Sequence, residues 1–252
     1  MDRYAIINKI RESLEPFPFI YAMWLEGSDA NGLLDAYSDL DINVYFEDEY
    51  ELAAYVAVEK ALREISEIDY EYIMVHENPN LRQRVYHLAG TSEYLLIDFC
   101  WHLHSRNKDN CVFIKGSSVE AARVIFDKAG VVRFKDYDPK EFEERNLALL
   151  AESKHRYNQR ARVLKYIRRG TYLEAYAYYN RYVFEPLVNI LRIIYTPAYA
   201  YNYLLHITHH IPKSEADKLA FYAQISSLDD IEQKTQSAEK WFRELVAKLE
   251  TH

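Results

Sequence analysis

The chain has 252 residues, 49% of them hydrophobic, which is enough for one large domain or two modest ones. Its formal net charge of -8 disfavours a nucleic-acid partner, because contact with a polyanion usually requires a basic surface. No apolar run is long enough to span a membrane. The two cysteines have no zinc or disulfide spacing and the N-terminus has no signal-peptide pattern, so we expect a cytoplasmic protein.

The first part of the sequence predicts alternating helices and strands. Apolar residues recur at helical spacing over Arg3–Leu14, and Phe19–Leu25 is typical of a buried strand. Polar and apolar residues alternate over Asp39–Phe46, which predicts a second strand. On such a strand Asp39 and Asp41 point to the same face.

One further helix and five further strands are predicted before residue 135. They are the helix Tyr50–Ile65 and the strands Tyr70–Val75, Arg84–Leu88, Glu93–Trp101, Arg123–Phe126 and Val131–Phe134. The last two strands flank the sequence Asp-Lys-Ala-Gly, which is typical of a hairpin turn.

Beyond Tyr137 the sequence predicts helices only. The order Asp-Pro-Lys-Glu at 138–141 is typical of a helix start, and the helical pattern continues to Gly170. A further helix begins at Thr171, and Pro186 is expected to kink it.

This change of pattern predicts an α+β protein with two domains. Residues 1–137 are expected to form a mixed β-sheet flanked by helices, and residues 138–252 an all-helical bundle.

Two short motifs in the first domain have residues suited to nucleotidyl transfer. Gly27 lets the backbone approach phosphate oxygens closely, and Ser28 adds a hydroxyl and a backbone N–H group. Asp39 and Asp41 can both reach divalent metal ions that lie about 4 Å apart. Such ions offset charge on the attacked phosphorus and on the leaving pyrophosphate.

Asp98 is the candidate for a third carboxylate. It interrupts the apolar run Tyr94–Trp101, where burial of an unpaired charge is costly, so a cation is an expected partner. Asp98 would complete the metal site or act as the general base. The alternative is a solvated strand face or an ion pair with a basic residue.

The order Gly-Ser, a spacer and then Ser38-Asp39-Leu40-Asp41-Ile42 resembles the signature of the nucleotidyltransferase superfamily that includes DNA polymerase beta. The resemblance covers roughly the first 135 residues. The helical part, with Lys165–Gly170 followed by Ala175, resembles more loosely the C-terminal domains of bacterial aminoglycoside and lincosamide nucleotidyltransferases. In those families the N-terminal domain binds Mg-NTP and the helical domain shapes the acceptor pocket.

This resemblance implies an Mg²⁺-dependent nucleotidyltransferase (adenylyltransferase-type) that moves a nucleoside monophosphate, usually AMP from ATP, to a hydroxyl of a small molecule. Aminoglycoside- or lincosamide-like antibiotics are one class of acceptor. Asp39, Asp41 and Asp98 would form a two-metal site. Gly27 and Ser28 would bind the triphosphate, with Lys165 balancing its charge unless that side chain is merely solvated. A homodimer is compatible with the sequence.

Two other functions stay open at this stage. Transfer to a protein or to an RNA end is one, and the acidic balance argues against RNA. The other is a nucleotide-binding or interaction protein of the same fold without turnover. The three carboxylates argue against it, because binding alone does not require the whole metal set.

Overall fold

The structure, a computed structural model, describes residues 3–75, 81–105 and 111–250. Contacts between Cα atoms divide the chain into two compact units, Met1–Tyr137 and Asp138–His252. The predicted α+β class is confirmed, because the first unit holds a mixed sheet with helices and the described part of the second is helical.

The described residues of the first unit form three α-helices and eight strands. In chain order they are α1 Arg3–Leu14, β1 Ile20–Leu25, α2 Ser28–Asn31, β2 Leu40–Phe46, α3 Glu51–Ile65, β3 Ile68–Met74, β4 Leu81–Leu88, β5 Ile97–Leu103, β6 Val112–Ile114, β7 Arg123–Asp127 and β8 Arg133–Lys135. Six strands form one sheet in the order β3-β4-β5-β2-β1-β7, and β6 pairs with β8 separately. Within the large sheet β2 and β5 run parallel, and the other described pairs are antiparallel.

The two faces of the large sheet are chemically different. On one face Ile42 of β2 and Phe99 of β5 are fully buried in the main core with residues of α1 and α3. Burial of each such side chain contributes about 1.5–3 kcal/mol. Side chains alternate along a strand, so Asp41 points to the opposite face, where Trp24 and Tyr45 belong to a smaller apolar cluster.

The predicted hairpin between Arg123–Phe126 and Val131–Phe134 is wrong. β7 pairs with β1, and β8 pairs in parallel with β6. The Asp127 carboxylate accepts hydrogen bonds from three backbone N–H groups in the segment that follows it. These bonds stabilise a loop in place of the hairpin turn and direct the chain away from β7.

The second unit is a set of helices around an aromatic and aliphatic core. The helices are α4 Lys140–Asn158, α5 Ala161–Arg168, α6 Tyr172–Tyr179, α7 Glu185–Tyr195, α8 Ile207–His210, α9 Lys213–Ala223 and α10 Leu228–Glu250. The continuous helix expected up to Gly170 is interrupted after Asn158. Instead of a simple kink at Pro186, a π-helical turn over Asn180–Phe184 joins α6 to α7 just before this proline, which has no N–H to donate.

Membrane insertion is not indicated by any described helix. Within residues 3–75, 81–105 and 111–250, none combines the length and the apolar character needed to cross a bilayer.

Candidate active site

Gly27 lies in the turn between β1 and α2, in contact with Asp41. Its φ of 58° belongs to the left-handed region, which residues with a side chain rarely adopt. A Cβ atom placed on Gly27 would lie 2.1 Å from Oδ2 of Asp41, far inside van der Waals contact. The turn and the carboxylate can therefore occupy this space together only if residue 27 is glycine.

Asp41 and Asp98 are direct neighbours in the register of β2 and β5. Paired residues of adjacent strands point to the same face, so these two carboxylates lie side by side. Asp39 directly precedes β2 and is exposed, and its negative charge raises the pKa of Asp41. The structure thus brings the three predicted carboxylates to one end of the parallel strand pair.

Burial raises the pKa of Asp41 to about 7, and repulsion from Asp39 and Asp98 adds to this effect. Glu26 and Asp29 contribute in the same direction. A group of carboxylates that resist simultaneous ionisation is an environment in which a bound cation is favoured.

Gln83 orients the carboxylate of Asp98. Its Nε2 donates a hydrogen bond of 2.6 Å to Oδ2 of Asp98 from the neighbouring strand β4. Gln83 is not among the residues predicted from the sequence. No local pattern indicates it, because its contact with Asp98 depends on the pairing of β4 with β5.

Ser28 and Asp29 begin the short helix α2 that follows Gly27. The Ser28 hydroxyl is buried and has no hydrogen-bond partner among the described residues. Asp29 is buried too, but its Oδ2 accepts hydrogen bonds from Nε and Nη2 of Arg3 at 2.9 and 2.8 Å. Arg123 of β7 lies 4.0 Å from the other oxygen, so two arginines balance this charge.

Arg3 also connects α2 to the start of β2. Besides its bonds to Asp29, it donates a hydrogen bond of 2.9 Å to the carbonyl oxygen of Ser38 and another to that of Asp39. It therefore positions Asp39 relative to the Gly27 turn. Arg3 and Arg123 are not among the residues predicted from the sequence. Their common partner Asp29 is remote from both in the chain, and in the sequence neither differs from a solvated arginine.

Lys165 belongs to the other compact unit. It is exposed on α5. Its assignment to the triphosphate stays a prediction.

The carboxylates suit a magnesium ion that is bound together with a substrate. Within the described part of the chain, no three His, Cys, Asp or Glu side chains are grouped so that they could hold one ion. Mg²⁺ is commonly bound by one or two carboxylates and completes its coordination with phosphate oxygens and water. Asp41 beside Asp98, with the repulsion between them, fits this mode better than a cage of protein ligands alone.

The raised pKa of Asp41 predicts a stability that falls as the pH rises. Between the ordinary pKa of 3.8 and about 7, folded Asp41 retains a proton that the unfolded chain releases, so raising the pH favours unfolding. Asp41→Asn should therefore raise the free energy of unfolding by at most about 4 kcal/mol at pH 8, and by at most about 1.6 kcal/mol at pH 5, because pH 5 is only about one unit above the pKa of the unfolded carboxyl.

Urea denaturation at pH 5 and pH 8 without Mg²⁺ measures this difference. The exposed Asp136→Asn is the matched control, for which no pH-dependent gain is expected. An equal effect of Asp41→Asn at both pH values would show that burial and repulsion do not act as described.

Comparison with known proteins gives one family. Residues 6–125 match the model of the nucleotidyltransferase domain. The match covers Gly27, Ser28, Asp39, Asp41 and Asp98. No curated protein sequence matches the chain significantly.

Three solved structures are similar at low identity. The spectinomycin adenyltransferase AAD(9) from Enterococcus faecialis, with ATP and spectinomycin, is 11% identical over 96% of this chain and 100% of that chain, with a TM-score of 0.34. A chain of the GLD-2/RNP-8 complex is 10% identical over 91% of this chain and 70% of that chain, with a TM-score of 0.30. JHP933 from Helicobacter pylori is 11% identical over 100% of this chain and 98% of that chain, with a TM-score of 0.29.

Proposed function

Because residues 6–125 match the nucleotidyltransferase domain, we propose that the chain transfers AMP from ATP to a hydroxyl group of a small molecule. The observation that carries this proposal is the register of β2 and β5, which sets Asp41 beside Asp98 and against the Gly27 turn. Transfer from a nucleoside triphosphate requires carboxylates that bind metal ions and, next to them, a turn whose backbone the phosphates can approach closely.

In this proposal each residue has a separate role. Asp39, Asp41 and Asp98 would hold Mg²⁺, with two ions as the finer prediction. Gly27 and Ser28 would bind the triphosphate. When bound, Mg²⁺ offsets the negative charge of the triphosphate and of the leaving pyrophosphate.

The role of Asp98 is either to complete the metal site or to act as the general base. The hydrogen bond from Gln83 holds one of its oxygens, and the carboxylate can accept the proton of the attacking acceptor hydroxyl. Arg3 acts as a positioning residue, since it ties the backbone at Ser38 and Asp39 to Asp29 of α2.

The small-molecule acceptor is supported by the charge of the first unit. Residues 1–137 contain 24 Asp and Glu against 14 Lys and Arg, which repels a polyanion from the unit that carries the carboxylates. Aminoglycoside- and lincosamide-like compounds are proposed from the resemblance of the helical part. A cytoplasmic location and a homodimer also remain predictions.

Pyrophosphate release with Mg-ATP tests the proposal across a panel of aminoglycosides and lincosamides. We expect release only when a suitable acceptor is present, together with an acceptor mass increased by one AMP. Labelled AMP appearing on a protein or on an RNA end would replace the small-molecule acceptor with a polymer. Calorimetric binding of Mg-ATP without transfer to any acceptor would favour the binding protein without turnover.

A further inference from the structure

The second unit contains a basic segment, although the net charge of the whole chain is negative. Residues 153–173 include seven Lys and Arg residues and no Asp or Glu. The second unit as a whole has 17 Lys and Arg against 15 Asp and Glu, so the acidic excess of the chain lies entirely in the first unit.

Four of these seven cations are neutralised by carboxylates of the same unit. The ion pairs are Lys154–Glu250, Arg156–Glu152, Arg156–Glu185, Arg160–Glu239 and Arg168–Glu232. For Arg162, Lys165 and Arg169 no ion pair with a carboxylate is found among the described residues. These three are exposed and follow one another at i, i+3 and i+7 along one side of α5 and its C-terminal end.

A row of tyrosine rings supports the unneutralised cations. The guanidinium of Arg169 lies 5.5 Å from the ring centre of Tyr166, and those of Arg162 and Arg181 lie 5.8 and 5.9 Å from that of Tyr182. Such cation–π contacts hold a guanidinium in place while leaving its N–H groups available for a ligand.

Tyr178 joins the other two rings into one continuous row. Its ring centre lies 4.5 Å from that of Tyr166 and 5.4 Å from that of Tyr182. Tyr166 and Tyr178 remain partly exposed. The surface made by Arg162, Lys165, Arg169 and Arg181 is called the basic surface below.

We propose that the basic surface binds single-stranded nucleic acid. The row from Arg162 to Arg169 extends about 10 Å along the helix, which is enough to contact two or three successive phosphates. The partly exposed rings of Tyr166 and Tyr178 lie among the cations, where unpaired bases can stack on them. A duplex keeps its bases stacked inside and could use only the charges, so a single strand fits better.

This binding goes beyond the proposed transfer reaction and does not require it. The four exposed cations would displace counterions condensed on the phosphates of the strand, which makes the affinity dependent on salt. No carboxylate among the described residues competes for these cations through an ion pair.

Fluorescence anisotropy of the full chain with a labelled oligothymidylate or oligouridylate of about 20 nucleotides tests the proposal. The buffer contains neither ATP nor Mg²⁺, so the result is independent of nucleotidyl transfer. We expect wild-type binding to weaken as salt rises from about 50 to 200 mM. The triple variant Arg162→Gln, Arg169→Gln and Arg181→Gln should bind at least about tenfold more weakly, with a salt slope flatter by about 2. Lys165 is left unchanged, so that the same triple variant can also be assayed for transfer with the predicted triphosphate contact intact.

The matched control changes three cations that are already paired. Lys154→Gln, Arg168→Gln and Arg243→Gln alter the net charge by the same amount. We expect binding within about twofold of wild type, since these cations are compensated. Equal losses in both triple variants would reduce the effect to net charge and overturn the proposal. Binding to phosphatidylserine vesicles without binding to either oligonucleotide would also overturn it, in favour of a lipid surface.

Discussion

Asp39→Asn combined with Asp41→Asn is expected to abolish nucleotidyl transfer, with a fall in rate of at least about 10³-fold in Mg-ATP. Asparagine keeps the size of each side chain but removes two negative charges that would hold the metal. Pyrophosphate release with the best acceptor of the panel measures the loss. If the double variant keeps wild-type activity, the assignment of these carboxylates is wrong.

The stability of the same variant separates loss of function from loss of fold. Replacing Asp41 removes a carboxylate that burial and repulsion disfavour, so the double variant should be at least as stable as wild type at pH 8. The control is Asp136→Asn with Asp217→Asn, two exposed residues outside the site, which should keep both activity and stability. A double variant at positions 39 and 41 that unfolds at pH 8 would contradict the electrostatic argument.

Gly27→Ala is the second change with a large expected effect. The new Cβ would overlap Oδ2 of Asp41, and the left-handed backbone would disfavour alanine by about 1–3 kcal/mol. Either the turn or the carboxylate must move. A displacement of about 1 Å is enough to lower the rate roughly 10²-fold. Urea denaturation and pyrophosphate release measure the two consequences.

Gly32→Ala is the matched control for this change. Gly32 also has a positive φ, of 80°, but a Cβ at Gly32 would have no neighbour within 4 Å. It should carry the conformational cost while leaving Asp41 in place and most of the activity intact. If both alanine variants lose activity equally, the contact between Gly27 and Asp41 has no special part in the site.

The predicted site residues differ in how much of their role a local pattern could indicate. Gly27, Ser28, Asp39 and Asp41 were identifiable because a turn, a strand and their acids lie close together in the sequence. Asp98 was identifiable as an acid within an apolar strand, but not as the direct neighbour of Asp41. That pairing depends on the parallel register of β2 and β5.

Contacts over long sequence distances explain what the sequence analysis missed. Arg3 binds Asp29 and the backbone carbonyl of Asp39, and Gln83 binds Asp98, with no local signal for either contact. The wrong hairpin has a similar cause. A Gly-containing turn favours a hairpin. In the structure the Asp127 carboxylate accepts hydrogen bonds from N–H groups of the following loop, and β8 pairs with β6 instead of β7.

The sequence by itself determined the α+β class, the bounds of α1, β1, β2 and α3 to within one residue, and the order of the carboxylates, because the periodicities of strands and helices are local properties of the chain. Only the tertiary structure decided which charges meet. It set Asp41 beside Asp98, and it neutralised four cations of residues 153–173 while leaving Arg162, Lys165 and Arg169 exposed without a carboxylate partner among the described residues. Electrostatic energy depends on the distances between charges and on their burial. The net charge of -8, which follows from the sequence alone, gives no information on either.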